Sequence, residues 1–498
     1  MPAKRAISAA LALLLIAAIP ARAASVPTIT VIDSINPGSG SSDAMDSDYS
    51  YQAFGDYLYF GASNGTSGHE LWRSNGTTTE LVKDINPAAG VGSSPDNLTA
   101  LGDYLYFSAD DGTHGYELWR TNGTEVGTTL VENINETGTG GVNDSLPYGF
   151  VAFDNYLYFS ADDGINGREL WRTNGTVTEL VKNINMSENI NSNPEGFTAL
   201  GGYLYFGASD GESECTGCGM ELWRTDGTAL GTTLVKDINP AGYSWPERFA
   251  EIGGYLYFTA VSGESGNELW RTNGTEAGTT PDTGVFNPNN FTAFGSYLYF
   301  SAETEADGYE LWRTDGTELG AEQFLDLNAG AGDSYPYNLT VVGDVLYFSA
   351  DDDTHGDELW ATSGTITVLA YETIAGASDA DPDDFTAFGD WLYFQAETGD
   401  EGGDELWRSN GEVTERVPFP LVGQFLSDND YGVALVVAGD RLYMSALSTL
   451  IGYEFAYLDH ALPPTNRDGS VWTITLVILA GLTAAASVGL RVRGAKRA

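Results

Sequence analysis

Carboxylates stand in pairs beside glycine in this chain, and no other residues in it have as much chemistry to offer. The pairs occur in ADDGTHGY (Ala109 to Tyr116), ADDGING (Ala161 to Gly167) and ADDDTHGD (Ala350 to Asp357). Calcium takes about six to eight oxygen ligands, so Asp110, Asp111, Asp162, Asp163, Asp351 and Asp352 are the metal-ligating candidates. The spacing departs from the D-x-[DN]-x-[DN]-G calcium loop. Two further copies of the segment, VSGESGN and AETEADG, lack the Asp pair. Local turns, with Asp oxygens accepting nearby backbone N–H groups, are the expected role. Ca²⁺ stays an alternative ligand, and no cofactor is required.

Other candidates are weaker. His69, His114 and His355 fall in these same repeated loops, whereas a catalytic His is expected to be unique, and His460 stands near the C-terminal apolar run. No GxSxG, HExxH or P-loop pattern occurs. The only cysteines, Cys215 and Cys218 in CTGC, read as a local disulfide pinning a loop, since no second pair completes a zinc site. The sequons N-x-[ST] at Asn64, Asn75, Asn97, Asn122, Asn135, Asn143, Asn174, Asn185, Asn273, Asn290 and Asn338 are glycosylation acceptors on an exported chain. Asn-Gly is also a favoured tight-turn pair, so a turn role competes at Asn64, Asn75, Asn122, Asn174 and Asn273.

All of these residues sit in a repeated unit that must position them. Tyr-rich segments (YLYF at Tyr57, Tyr104, Tyr156, Tyr203, Tyr255 and Tyr297, altered at Val345, Trp391 and Arg441) precede Glu-Leu-Trp segments at Glu70, Glu117, Glu169, Glu221, Glu268, Glu310, Glu358 and Glu405. A worn ninth copy starts at Glu454, and successive Glu residues are 42 to 52 residues apart. A period near this size marks a solenoid or a propeller. Each unit reads as four strands, as in FTAL, YLYFGA, ELWRT and TLVKDI (Phe197 to Ile238). Gly-rich turns join them, and the apolar second strand suits burial on both faces. That is the content of one propeller blade.

The chain opens on ITVIDSI (Ile29 to Ile35), a fourth strand without its blade, and the ninth unit ends without a fourth strand. The expected fold is therefore all-β: a β-propeller of nine four-stranded blades, or eight if the worn unit packs differently, over residues 26–459. The N-terminal strand completes the last blade and removes the open edges. Within ELWR, Glu and Arg lie three residues apart on opposite faces of the strand. Each is expected to reach a neighbouring blade and pair with its counterpart, Glu as a structural acceptor for backbone or Arg donors.

The termini point to export. Lys4 and Arg5, an apolar run from Ala6 to Ile19 and Ala21-Arg22-Ala23 read as a signal peptide over residues 1–23. After a linker at 460–470, the uncharged run Val471 to Leu490 is long enough for a transmembrane helix, or serves as a sorting tail. Arg491, Arg493, Lys496 and Arg497 form a basic cytoplasmic tail at 491–498. The expected location is the cell surface, single-pass and with the N-terminal part outside. A formal net charge of −48 disfavours nucleic acid and anionic lipid as partners of the body.

ELWRTDGTALGTTLV (Glu221 to Val235) and ELWRTDGTELG (Glu310 to Gly320) resemble the ELWxxDGT repeat family of exported bacterial and archaeal proteins. The resemblance runs through most of the chain between its terminal segments. It implies a secreted or surface β-propeller and no single biochemical activity. Asn75, Asn122, Asn174, Asn273 and Asn410 stand where that motif has Asp, as does Ser363.

Recognition usually lives on variable loops carried by a rigid scaffold. In a four-strand meander the long segments Asn135 to Tyr148, Met186 to Pro194, Glu212 to Gly219 and Pro240 to Pro246 share one face, with Tyr243 and Trp245 as candidate binding residues. The expected function is a membrane-anchored surface recognition or adhesion scaffold, not an enzyme, with an extracellular protein or glycan as partner. The alternatives are a propeller enzyme acting on polysaccharide and a structural component of the cell envelope.

Overall fold

A computed structural model describes residues 29–31, 35–36, 50–137, 143–187, 190–211, 219–263, 266–304, 306, 308–317, 320–399, 404–418, 424–425, 435–448 and 452–459. The proposed signal peptide and transmembrane segment, His460, Cys215 and Cys218 lie outside these residues. Residues 27–460 form one unit. Among the described residues every regular element is a β-strand, and no helix is long and apolar enough to cross a membrane.

The second repeat shows how the sequence makes a blade. Asp96–Leu101, Tyr104–Asp110, Tyr116–Thr121 and Thr129–Glu132 pair in that order as an antiparallel sheet. Leu101 sits opposite Tyr104, Phe107 opposite Trp119 and Trp119 opposite Leu130. Side chains alternate across a strand, and here both faces are apolar because each meets another sheet. Leu105, Phe107, Ala109 and Trp119 pack against Tyr59, Leu71 and Val82 of the preceding repeat. Tyr106 and Leu118 point the other way, onto Leu157, Phe159 and Ala161 of the following one. Complete burial of each Leu or Phe is worth about 1.5–3 kcal/mol, so stacking the sheets supplies a core that no single sheet has.

Nine such repeats follow one another among the described residues. Six are separate four-stranded sheets, two are fused into a seven-stranded sheet, and the last belongs to a five-stranded one. First strands of successive repeats lie side by side, and Val436–Ala438 of the last lies beside both Asp383–Phe388 and Tyr51–Phe54. Ile29–Val31 pairs with Gly452–Asp459, Ile29 opposite Leu458 and Val31 opposite Ala456. The four-stranded antiparallel units expected from the sequence are present, and they have the architecture of propeller blades.

The turn after the third strand explains one glycine. Gly123 has φ +88°, and a Cβ there would meet Tyr59 Oη at 2.3 Å and Arg73 Nη1 at 2.6 Å in the preceding repeat. Only glycine allows that approach.

Candidate functional site: the inter-blade links

The Glu near the start of the third strand is where the linker chemistry converges in most repeats. Glu117 is buried. It accepts hydrogen bonds from Ile134 N (2.8 Å), Ser145 N (3.2 Å) and Ser145 Oγ (2.6 Å). Glu70 repeats this with Ile85 N, Asn86 N, Ser93 N and Ser93 Oγ. Glu169 and Glu310 use Ser192 and Ser334 in the same way. The Glu thereby ties the end of the fourth strand to the link that leaves for the next repeat. Burial pushes Glu117, Glu169, Glu221 and Glu358 up to about 7, against the opposing pull of their N–H and hydroxyl donors.

The latched Ser also reaches forward. Its carbonyl accepts a backbone N–H from the end of the second strand in the next repeat: Asp110 N on Ser93 O, Asp162 N on Ser145 O, Asp351 N on Ser334 O, each at 3.0 Å. Ala380 makes the same backbone bond with Glu397 N without supplying a hydroxyl.

After this residue comes a variable one, then Pro. Ser94, Leu146, Asn193, Trp245, Tyr335 and Asp381 all hold φ between +42° and +46°, a left-handed conformation rare for non-glycine residues and disfavoured before proline. Backbone bonds hold it: Leu146 N donates to Tyr116 O at 3.1 Å and Tyr335 N to Tyr309 O at 3.2 Å. None of these bonds uses the variable side chain. Leu146 is 46% exposed, Trp245 47% and Tyr335 55%.

Links and acidic turns share one side of the sheets. A Cβ on Gly112, in the acidic turn, would lie 2.9 Å from Asn86 Oδ1 in the preceding link, and Gly164 stands in the same relation to Asn135. Within the turns, Asp110 Oδ1 accepts Gly112 N, and Asp111 Oδ1 accepts Thr113 N and His114 N, at 2.7–2.9 Å. Asp162 and Asp163 bond Gly164, Ile165 and Asn166, while Asp351 and Asp352 bond Asp353, Thr354 and His355. His114 Nδ1 and His355 Nδ1 close onto Asp111 and Asp352. Burial raises the Asp111 carboxyl, but the bonds from His114 and Thr113 outweigh it and hold it below its ordinary value. Among the described residues, no three His, Cys, Asp or Glu side chains converge as a metal site. The six Asp candidates are therefore spread over three separate turns.

The two candidate binding residues do meet. Tyr243 and Trp245 stack with ring centroids 5.0 Å apart and planes at 20°. A second stacked pair, Tyr309 and Tyr335 at 5.3 Å and 25°, escaped sequence reasoning, as did the whole Ser-x-Pro step. The signal was there: proline recurs two residues after the latched position at Pro95, Pro147, Pro194, Pro246, Pro336 and Pro382. Asp333 takes the Tyr309 N–H at 2.8 Å. A hydrogen bond to Asp333 raises the Tyr335 hydroxyl, while burial and then Glu303 raise that of Tyr309.

Two expectations need correction. Glu and Arg of ELWR do not pair with their counterparts in the next repeat. Glu takes backbone donors, as one of the two expected alternatives had it, together with a Ser hydroxyl, whereas Arg serves the opposite end of the sheet. Arg120 donates to Gly175 O of the next repeat at 2.7 Å and covers the Tyr104 ring. Arg73 and Arg172 instead bind Glu80 and Glu179 of their own fourth strands. The second concerns the sequons. Asn185 is only 1% exposed, so a glycan cannot be attached there without opening the link. Asn75, Asn122, Asn174 and Asn273 accept turn N–H groups with Oδ1, the turn role also expected of them, in bonds that do not involve the Nδ2 a glycan would use.

No family model matches this chain, and no curated protein matches it. A solved structure of a prolyl endopeptidase is similar over 71% of this chain and 54% of its own, at 11% identity and a TM-score of 0.40. Two structures of puromycin hydrolase are similar over 66% of this chain and over 52% and 53% of theirs. Their identities are 14% and 13%, each with a TM-score of 0.35. This chain thus spans about half the length of those structures. The expectation that the chain is not an enzyme is corrected by this finding: the similar structures are enzymes, and absence of catalysis is not retained as a property of the chain. At these scores the likeness assigns no residue a role.

Proposed function

We propose that this chain is an exported, membrane-tethered member of the ELWxxDGT repeat proteins, a nine-bladed propeller closed by its N-terminal strand. Its links and acidic turns together make a recognition surface. One observation carries the reading. The Ser-x-Pro links are fixed by backbone bonds and by the Ser hydroxyl, on Glu117 and Glu310 at Ser145 and Ser334 and on Met220 O at Ser244, leaving the middle side chain out of the bonds that hold the link. That position is Ser, Leu, Asn and Trp in the first four links, Tyr in the sixth and Asp in the seventh, where Ala380 replaces the Ser, and its three large apolar members face solvent. A rigid scaffold bearing variable, exposed side chains at equivalent positions is how recognition surfaces are built, and exposed aromatic rings are enriched among binding hot spots.

The test replaces Leu146, Trp245 and Tyr335 together by Ser in the full chain and probes an array of glycans and of acidic and basic peptides. Loss of the ligands that the parent retains, with the thermal midpoint kept, is the expected result. Retention of every ligand by the triple variant would overturn the reading.

A further inference from the structure

We infer that the exposed aromatic pairs on this surface receive cationic side chains, the guanidinium or ammonium groups of a basic polypeptide segment. The inference rests on the recognition reading above and names its ligand class. Trp245 stacks on Tyr243 and Tyr335 on Tyr309, so each exposed ring is backed by a second ring that holds its plane. Carboxylates stand beside the Tyr309–Tyr335 pair: Asp333 accepts the Tyr309 N–H at 2.8 Å, and Asp333 and Glu303 raise the hydroxyls of Tyr335 and Tyr309. Near the other pair in sequence, Glu247 is ion-paired with Arg248 at 2.9 Å. A cation over either ring meets the negative face of the π-system, and at the Tyr309–Tyr335 pair it also finds carboxylate oxygens nearby.

The chain already uses this chemistry inside its own fold. Arg guanidinium groups lie 4.2–4.9 Å from ring centroids at Tyr57, Tyr104, Tyr156, Tyr203, Tyr255 and Tyr297. Those contacts belong to the blades. Charge decides between a cationic occupant and a neutral one. With 70 Asp and Glu against 22 Lys and Arg, the field of the chain draws basic segments toward any exposed ring and speeds their encounter.

The experiment measures a fluorescent nona-arginine peptide binding to the full chain by anisotropy, across ionic strength, with a neutral chitin oligosaccharide as control ligand. Replacing Trp245 and Tyr335 together by Ala is expected to weaken peptide binding about tenfold. The salt slope should be unchanged, since no charge is removed. Peptide affinity equal in parent and double variant would mean attraction to net charge alone and would overturn the inference. So would an absence of peptide binding to the parent chain. If the oligosaccharide binds the parent and is lost in the double variant while the peptide is indifferent, the ligand class is wrong but the recognition surface stands. If neither ligand is affected and the array test is also negative, the recognition surface itself falls.

Discussion

Two of the links between repeats are built differently, and the contrast separates what holds the sheets together from what the links display. In the second link Glu117 is closed over by Ile134, Ser145 and their N–H and hydroxyl donors. In the fifth, no Ser stands at the latch position. The chain runs as one strand, Thr280–Phe294, that pairs backward with Asn267–Thr272 and forward with Tyr297–Glu303. Phe286 occupies the place of the Ser and lies opposite both Glu268 and Glu303. Glu268 bonds Ser262 Oγ at 2.5 Å instead of a backbone cradle. Asn287 nevertheless holds φ +49° before Pro288. The left-handed step before proline therefore does not depend on the Glu latch. It is how the chain enters the next first strand, and the latch is an added support that a continuous strand can replace.

The largest difference between the two links should appear on removing the carboxylate. Glu117→Gln turns one acceptor oxygen into a donor facing backbone N–H groups and should cost on the order of 2 kcal/mol of stability. Glu268→Gln, with no such cradle, should stay within about 0.5 kcal/mol of the parent. Chemical denaturation of both variants checks the pair.

Ser145→Ala keeps the backbone bonds of the latch and loses only the hydroxyl, so a loss of about 1 kcal/mol is expected. The seventh link carries Ala380 at this position naturally and keeps the Ala380–Glu397 backbone bond, which is why the effect should be tolerated.

Proton linkage sharpens the comparison. Burial raises Glu117, Glu169, Glu221 and Glu358 from an ordinary 4.5 to about 7. A group raised on folding stabilises fully below its unfolded value and loses that contribution as pH rises through its folded value. The thermal midpoint should fall between about pH 5 and pH 8, and mutual repulsion in so acidic a chain acts in the same direction. Glu117→Gln should flatten part of this slope and Glu268→Gln none of it, as scanning calorimetry across that range would show.

The smallest effect belongs to the displayed residue. Leu146→Gly removes a Cβ from a left-handed position, so the midpoint should hold or rise, by up to about 1 kcal/mol of stability. A clear loss would mean that the Leu146 side chain has a packing role after all.

The blade content was legible because two signals agree in each copy: apolar runs such as YLYFSAD bounded by Gly turns, and a period near that of known blades. The split last sheet was legible for the same reason, since ITVIDSI has no blade of its own. The Glu was read correctly as an acceptor of backbone donors, but which ones was hidden, because its partners Ile134 and Ser145 are distant in sequence and offer N–H groups that no residue type announces. The stacked Tyr309 and Tyr335 were hidden likewise: they are 26 residues apart and meet only through the link geometry. The Asp turns showed the reverse difficulty. Carboxylates that look like ligands in sequence are occupied by the N–H groups of their own loops.

The central claim is that the latch carries architecture while the variable link residue does not. Thermal unfolding of Glu117→Gln beside the Leu146→Ser, Trp245→Ser, Tyr335→Ser triple variant tests it most directly. The account predicts a lowered midpoint for the single substitution and the parent's midpoint for the triple one. A triple variant that unfolds as early as Glu117→Gln would contradict it.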